Sequence, residues 1–404
     1  MSTEEKHLLK PLKLPCGAVI KNRIAKAAMT ERMADRDQKA SKGHEHLYGH
    51  WADNGAGLLI TGNILVDKRY KEASANIVLE DESGLASLQK MTAAGARNGT
   101  HIWAQISHAG RQASIFSTFK PIAPSAVQLK KLMLFAKPKA MTVEQIKDVE
   151  NRFVKVAQIC KKAGFTGIQI HAAHGYLLSQ FLSPLTNLRT DEYGGDILNR
   201  GRLLFDIVRR ARKELGDEFP ISVKLNSADF QRGGFNEEDA LVVIKELEKL
   251  KIDLLEISGG TYENIKFLTE RFTRESTRQR EAYFMDFAAK IRSKTNLPLM
   301  ITGGFRSHQF CEEAILNNEL EMIGFARPFL TDRSFPKDFL NNAEAKVADA
   351  SFSFGIKQMR DMAEAGYFDY QIHRLAAGEE FVPNYNPYLA VLRLTKNELV
   401  KGWF

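Results

Sequence analysis

Cysteine is scarce: the 404 residues hold three, Cys16, Cys160 and Cys311, far apart and in no CxxC pair. That spacing offers neither a zinc ribbon nor an iron–sulfur signature, and it suits a reducing, cytoplasmic setting. No run of about 18 apolar residues occurs, so no membrane-spanning helix is expected. The amino-terminal MSTEEKHLLKPLKLPCG lacks the apolar core and small-residue cleavage site of a secretory signal. No Gly-x-Gly-x-x-Gly turn follows an early strand, which argues against a doubly wound sheet. A basic block with interleaved aromatics is also missing. The net charge of +8 comes from 57 Lys and Arg dispersed among 49 Asp and Glu, so no nucleic-acid partner is expected. A mildly basic surface that attracts phosphorylated small molecules fits better.

What the chain does have is alternation. Short apolar runs at residues 24–29, 57–66 and 101–107 read as strands, with a helical pattern over 83–97 between the last two. Residues 112–141 carry several prolines and no steady period, which predicts a long excursion with a hairpin or lid around 129–135. Thr142 and Gln145 then have capping-box spacing ahead of an apolar stripe of Ile146, Val149, Phe153, Val156 and Cys160. Gly164 stops that helix, and 165–170 is the fourth strand. Helices over 201–215, 237–250, 280–295 and 307–317 alternate with strands over 221–225, 253–258, 297–302 and 321–325. Eight strands with intervening helices predict an α/β protein, a (β/α)8 TIM barrel with long loop excursions. The barrel takes residues 1–345. A C-terminal helical extension, 346–404, is expected to be helical over 356–365 and to dock through Phe381, Pro383, Tyr385, Pro387 and Tyr388.

In such a barrel the carboxyl ends of the strands face one shared pocket. The most unusual end lies in GIQIHAAHGYLLSQFLSPLTNLRTDEYGGDILN, residues 167–199, where His171, His174 and Tyr176 follow one strand. A zinc site would need a third ligand nearby, and none is there, so no metal is expected. Two histidines at one strand end are less easily explained as structural than one, whereas Tyr176 alone could simply pack. Arg189 and Asp191 are expected to pin the following loop. The other ends supply Thr30, Asn63, Gln105 with His108, Lys224 with Asn226, Ser258-Gly259-Gly260, Gly303-Gly304 and Ala326-Arg327. This set holds amides, hydroxyls, imidazoles and a cation but no carboxylate. It suits donors around a planar, electron-accepting ligand rather than general base chemistry by Asp or Glu. The glycine turns ITGGFRS and GFARPF, after strands seven and eight, further predict a phosphate site.

These residues carry a resemblance. HAAHGYLLSQFLSPLTNLRTDEYGG, together with HAGR (108–111) and NRIAKAAMT (22–30), resembles the Old Yellow Enzyme family, in particular its bacterial and fungal NADH:flavin oxidoreductase branch. The resemblance runs from about Leu12 to Pro336. It implies an FMN-dependent enzyme that takes hydride from NAD(P)H and reduces the activated C=C bond of an α,β-unsaturated carbonyl compound by a ping-pong mechanism. It further implies that Ala27, Ala28, Met29 and Thr30 lie along the flavin edge. Asn63 would offer its backbone, Gln105 would bond the pyrimidine side, and Lys224 would stand near N1. Gly303, Gly304, Ala326 and Arg327 would hold the phosphate. His171 and His174 would donate to the substrate's carbonyl oxygen and Tyr176 would supply the proton.

Several positions depart from the pattern. Lys224 stands where many members have Arg, and Thr30 where part of the branch has Cys. Ala326 replaces a more usual Gly and needs a negative φ, and no aromatic follows Thr30 (Glu31-Arg32-Met33). The iron–sulfur subclass with extra nucleotide domains is not expected. Homo-oligomerisation is compatible with the sequence. Two alternatives from other classes stay open: a non-catalytic FMN- or metabolite-binding barrel, and a flavin-free aldolase using Lys224 as its Schiff-base amine.

Overall fold

The computed structural model describes residues 6–130, 134–259, 285, 287–347, 354–355 and 359–401. Eight parallel strands form the expected barrel: β1 (Ile24–Lys26), β2 (Leu58–Leu65), β3 (His101–Ser107), β4 (Gly167–Ala172), β5 (Ile221–Asn226), β6 (Leu254–Ser258), β7 (Leu299–Thr302) and β8 (Met322–Phe325). β8 pairs with β1 and β1 with β2, which closes the ring. Helices cover the outer wall, so both faces of most strands are buried and the strands read as apolar runs.

Alternation along each strand sorts the interior into layers. At the amino-terminal end Ala25, Leu58, Ile60, Trp103, Leu254, Met300 and Met322 pack together. A hairpin of Leu12–Lys13 with Val19–Ile20 closes that end, adding Leu12, Leu14 and Ile20 to the cluster. Two residues further along the strands the inward positions become polar: Gln105, Gln169, Lys224, Glu256 and Thr302. One step higher stand Ser107, His171, Asn226 and Ser258. The apolar floor supports a polar deck.

The outer helices are α1 (Lys42–Asp53), α2 (Leu85–Gly95), α3 (Val143–Lys162), α4 (Leu177–Leu182), α5 (Ile197–Leu215), α6 (Glu237–Lys249) and α7 (His308–Leu316). The capping box on α3 forms as its spacing predicts, with Gln145 N–H donating to Thr142 and Thr142 N–H to Gln145 Oε1. Residues 285 and 287–292 of the helix expected over 280–295 are helical, and the start of that helix lies outside the described residues, as does Gly260.

Some expectations need correction. α1 was not anticipated, because its sequence, KGHEHLYGHWAD, is rich in His and Gly, although Ser41 and His44 cap it. β1 ends at Lys26, three residues early, so Ala27–Thr30 form a loop rather than a strand end. β4 runs on to Ala172 and therefore carries His171 itself. Of the excursion, residues 131–133 lie outside the described residues. Around them Ile122–Ala123 pairs in parallel with Lys139–Ala140, and Ile115 N–H donates to Leu134 O at 3.0 Å.

The extension is more helical than expected. Residues 356–358 lie outside the described residues, and beyond them run α8 (Arg360–Ala376) and α9 (Pro387–Lys401). Both reach the barrel's upper loops. Glu364 on α8 pairs with Arg327, and Glu398 on α9 accepts from Ser74 N–H at 2.9 Å and lies 3.4 Å from Arg32.

Candidate active site

The site begins where β1 ends. Lys26 points out of the barrel and is fully buried, with its Nζ donating to Ile60 O at 2.8 Å and standing 4.6 Å over the Trp51 ring. Burial lowers its pKa to about 8, against a raising pull from Glu31 3.9 Å away. Glu31 also accepts from the Tyr48 hydroxyl and, at 2.9 Å, from Gly62 N–H. This buried cluster clamps the 27–31 loop between α1 and β2. Gly62 permits the close approach: a Cβ there would sit 2.2 Å from Glu31 Oε2 and 2.4 Å from Met29 O. The chain also slips register by one residue between Ile60 and Asn63, which re-aims Asn63 inward.

Carboxylates, expected to be missing from the site, are present in it. Glu72, in the loop after β2, accepts from Thr30 Oγ1 at 2.8 Å and from Asn63 Nδ2 at 2.6 Å. Glu256, on the inner face of β6, pairs with Lys224 at 2.8 Å and accepts from Thr302 Oγ1 at 2.7 Å and from Gln169 Nε2 at 2.8 Å. Gln169 Oε1 in turn accepts from Gln105 Nε2 at 2.6 Å. Gln105 and Lys224 thus belong to one buried network with Glu256 at its centre. Strand ends do not reveal Glu256, because it sits two residues below one. Its signal is a charged residue at an inward-facing place in LLEIS.

His171, His174 and Tyr176 do come together. The His171 ring centroid lies 4.8 Å from that of Tyr176 and 5.4 Å from that of His174. His171 Nδ1 is 2.9 Å from Asn63 Oδ1, and His174 Nε2 is 2.6 Å from Ser258 Oγ. His174 adopts φ 58°, a left-handed conformation held by Asn226 Oδ1 accepting from its N–H and by Gln112 Nε2 donating to its C=O. The Asn63 side chain is thus engaged, where the expectation named only its backbone. No cluster of three or more His, Cys, Asp or Glu suited to a metal occurs among the described residues.

Gln180 on α4 ties this loop to the HAGR segment. Its Nε2 donates to Ala109 O and Gly175 O, and its Oε1 accepts from Arg111 N–H. Arg189 and Asp191 pin the following loop as expected, and Arg189 also donates to Pro124 O and Met141 O.

Burial holds the histidines neutral. His174 is pushed down to about 3 by burial and then by Lys224, and His171 lies well below its usual value through burial, His174 and Lys224. His44 and His108 are each lowered to about 4, chiefly by burial. As pH falls through 6.5 the unfolded chain binds protons that these folded imidazoles refuse, so stability declines with acid and is restored above the unfolded value. The thermal midpoint should therefore drop steadily from pH 7 towards pH 4; a midpoint flat over that window would show that these rings titrate normally.

At the other side, Gly303 and Gly304 take φ of 94° and 95°, and open space surrounds the place a Gly303 Cβ would fill. They lead to α7, capped by Ser307. Ala326 is not among the residues with positive φ, which meets the condition its replacement of Gly imposes. Arg327 lies on the face of Phe368, 5.0 Å from its centroid, while paired with Glu364.

Residues 7–345 match the NADH:flavin oxidoreductase / NADH oxidase family. The chain belongs to that family. This NADH:flavin oxidoreductase is an FMN-dependent enzyme using NAD(P)H, and the family is the one its HAAHGY and HAGR motifs resemble. It is 33% identical over 373 residues to the NADH-dependent flavin oxidoreductase iliE of Hypocrea jecorina, covering 86% of this chain and 92% of that protein. It is 33% identical over 325 residues to the NADPH dehydrogenase of Bacillus pumilus, covering 80% of this chain and 90% of that one. The old yellow enzyme homologue from Zymomonas mobilis shares the fold, with a TM-score of 0.71 at 24% identity over 88% of this chain and 98% of that one. An oxidoreductase of this family leaves no place for the aldolase alternative. Lys224, its required amine, is held in an ion pair with Glu256.

Proposed function

We propose that this flavin oxidoreductase reduces the C=C bond of an α,β-unsaturated carbonyl compound, with NAD(P)H and the alkene using one face of the pocket in turn. FMN supplies a ring that accepts hydride and passes it on. The donor set fits that cofactor. Ala27, Ala28, Met29 and Thr30 would line its edge, Asn63 would offer its backbone, and Gln105 and Lys224 would serve its pyrimidine side. Gly303, Gly304, Ala326 and Arg327 would hold its phosphate, with the open space at Gly303 as the cradle.

The observation that carries the reading is the convergence of His171, His174 and Tyr176 at one end of the barrel. Neutral imidazoles bind an oxygen-bearing substrate through hydrogen bonds without bringing a net charge. Binding there polarises the conjugated system and makes its β-carbon more electrophilic. Tyr176, placed at the start of α4 and buried, would protonate the α-carbon. The buried surroundings exclude bulk water and strengthen each of these contacts.

The test is initial-rate kinetics with NADH varied at several fixed concentrations of cyclohexenone, and product analysis. Parallel double-reciprocal lines and cyclohexanone as product are expected. Unchanged enone would refute the reaction, and converging lines would refute the shared face.

A further inference from the structure

The loop after β8 has a partner from outside the barrel. β8 ends at Phe325, and Arg327 opens the short helix Pro328–Thr331 that follows. β7 lies beside β8, with Gly303 N–H donating to Gly324 O at 3.3 Å, so the Gly303-Gly304 turn and Arg327 rise from neighbouring strand ends. Two side chains one turn apart on α8 hold the Arg327 guanidinium. Glu364 accepts from its Nη2, and the Phe368 ring covers its face with the centroid 5.0 Å away. A carboxylate is an odd neighbour for an arginine that is to hold a phosphate, because two anions then crowd one cation. The geometry resolves the conflict. The bond to Glu364 runs from Nη2, and a guanidinium carries five N–H donors in a rigid planar fork. The Arg327 side chain remains 36% exposed against 13% for Glu364, so it keeps room for a second anion on the N–H groups that Glu364 leaves.

We propose that Glu364 is a positioning residue of the cofactor site, which fixes Arg327 from the C-terminal extension so that its remaining N–H groups await the FMN phosphate. The inference rests on the reading of Arg327 as a phosphate ligand. Immobilising an arginine side chain costs conformational entropy, and Glu364 with Phe368 meets that cost during folding, ahead of binding. Repulsion between the Glu364 carboxylate and the phosphate is the opposing effect. The two anions take different N–H groups of one cation, so their shared attraction to the guanidinium outweighs it. Riboflavin lacks the phosphate and makes no use of Arg327, so the contribution of Glu364 is confined to FMN. The extension thereby becomes a working part of the cofactor site.

Titration of the full-length, flavin-stripped protein with FMN and with riboflavin, followed by flavin fluorescence, reads the effect as the ratio of the two affinities. Glu364→Ala should lower FMN affinity about tenfold and leave riboflavin within about twofold. Glu364→Gln keeps an oxygen acceptor for Nη2 and should lose only about threefold, which keeps the test decisive should the alanine variant fold poorly. In an Arg327→Gln background Glu364→Ala should change the ratio no further, since Glu364 acts through Arg327. A ratio that the Glu364 variants leave at its wild-type value would overturn the proposal, because equal effects on both flavins mean that α8 only props the barrel. A ratio that rises would overturn it as well, as the mark of a carboxylate competing with the phosphate. Arg327→Gln tests the underlying reading separately. If it leaves the ratio unchanged, Arg327 is not the phosphate ligand; if it collapses the ratio while Glu364→Ala does not move it, only the role of Glu364 is lost.

Discussion

Tyr176→Phe should leave reduction by NAD(P)H within about twofold of wild type while slowing reoxidation by an enone roughly 10²–10⁴-fold, the range for loss of a positioned general acid. The asymmetry follows from where the residue stands. Tyr176 stands at the N-cap position of α4 with its ring 4.8 Å from that of His171, so in the proposed reaction its hydroxyl would serve the substrate end and take no part in accepting hydride from the nicotinamide. The ring that remains in Phe keeps the packing against His171, which separates lost chemistry from lost shape. Stopped-flow absorbance at the flavin band reads both half-reactions on one sample. Equal slowing of the two would mean that Tyr176 shapes the pocket and delivers no proton.

Glu256→Ala should cost about 3–5 kcal/mol of stability, the range for breaking a buried ion pair by removing one partner. Lys224 would be left buried with no counter-charge, and Gln169 and Thr302 would each lose their acceptor. Removing both charges at once leaves less uncompensated, so Lys224→Met combined with Glu256→Ala should recover much of the loss. Urea denaturation of wild type, Glu256→Ala, Lys224→Met and the double variant closes the double-mutant cycle. A Glu256→Ala protein within about 0.5 kcal/mol of wild type would show that water or rearrangement meets the Lys224 charge. Because Lys224 and Gln105 share this network, the same variant should also bind FMN more weakly.

The fold was legible because a parallel barrel imposes a period that a sequence cannot hide. Buried strands, helices and glycine stops recur in order, and the Thr142 cap needed only its own three neighbours. What escaped notice did so for physical reasons. α1 is held by Tyr48 and Trp51 against the barrel, and its aromatic and histidine-rich face does not look like an aliphatic stripe. α9 starts at Pro387 behind Asn386, whose Oδ1 accepts from Tyr388 N–H at 2.8 Å. That is a helix-opening pair, but in a cluster of aromatics and prolines it reads as loop. His171, His174 and Tyr176 were visible because they are adjacent in the chain. Glu72 was not, since its partners Thr30 and Asn63 lie 42 and 9 residues away and no local pattern joins them. Glu256 could have been found by carrying strand alternation one step below the strand end. A carboxylate at an inward position of a barrel strand needs a cation, and Lys224 is its neighbour in register.

In the proposed reaction one pocket takes hydride from a nicotinamide and gives it to a conjugated alkene. Anaerobic sequential mixing tests it most directly. NADH or NADPH should first bleach the flavin band of the FMN-loaded protein, and cyclohexenone added afterwards, with no oxygen present, should restore it stoichiometrically. A band that bleaches but is not restored by any enone would contradict the account.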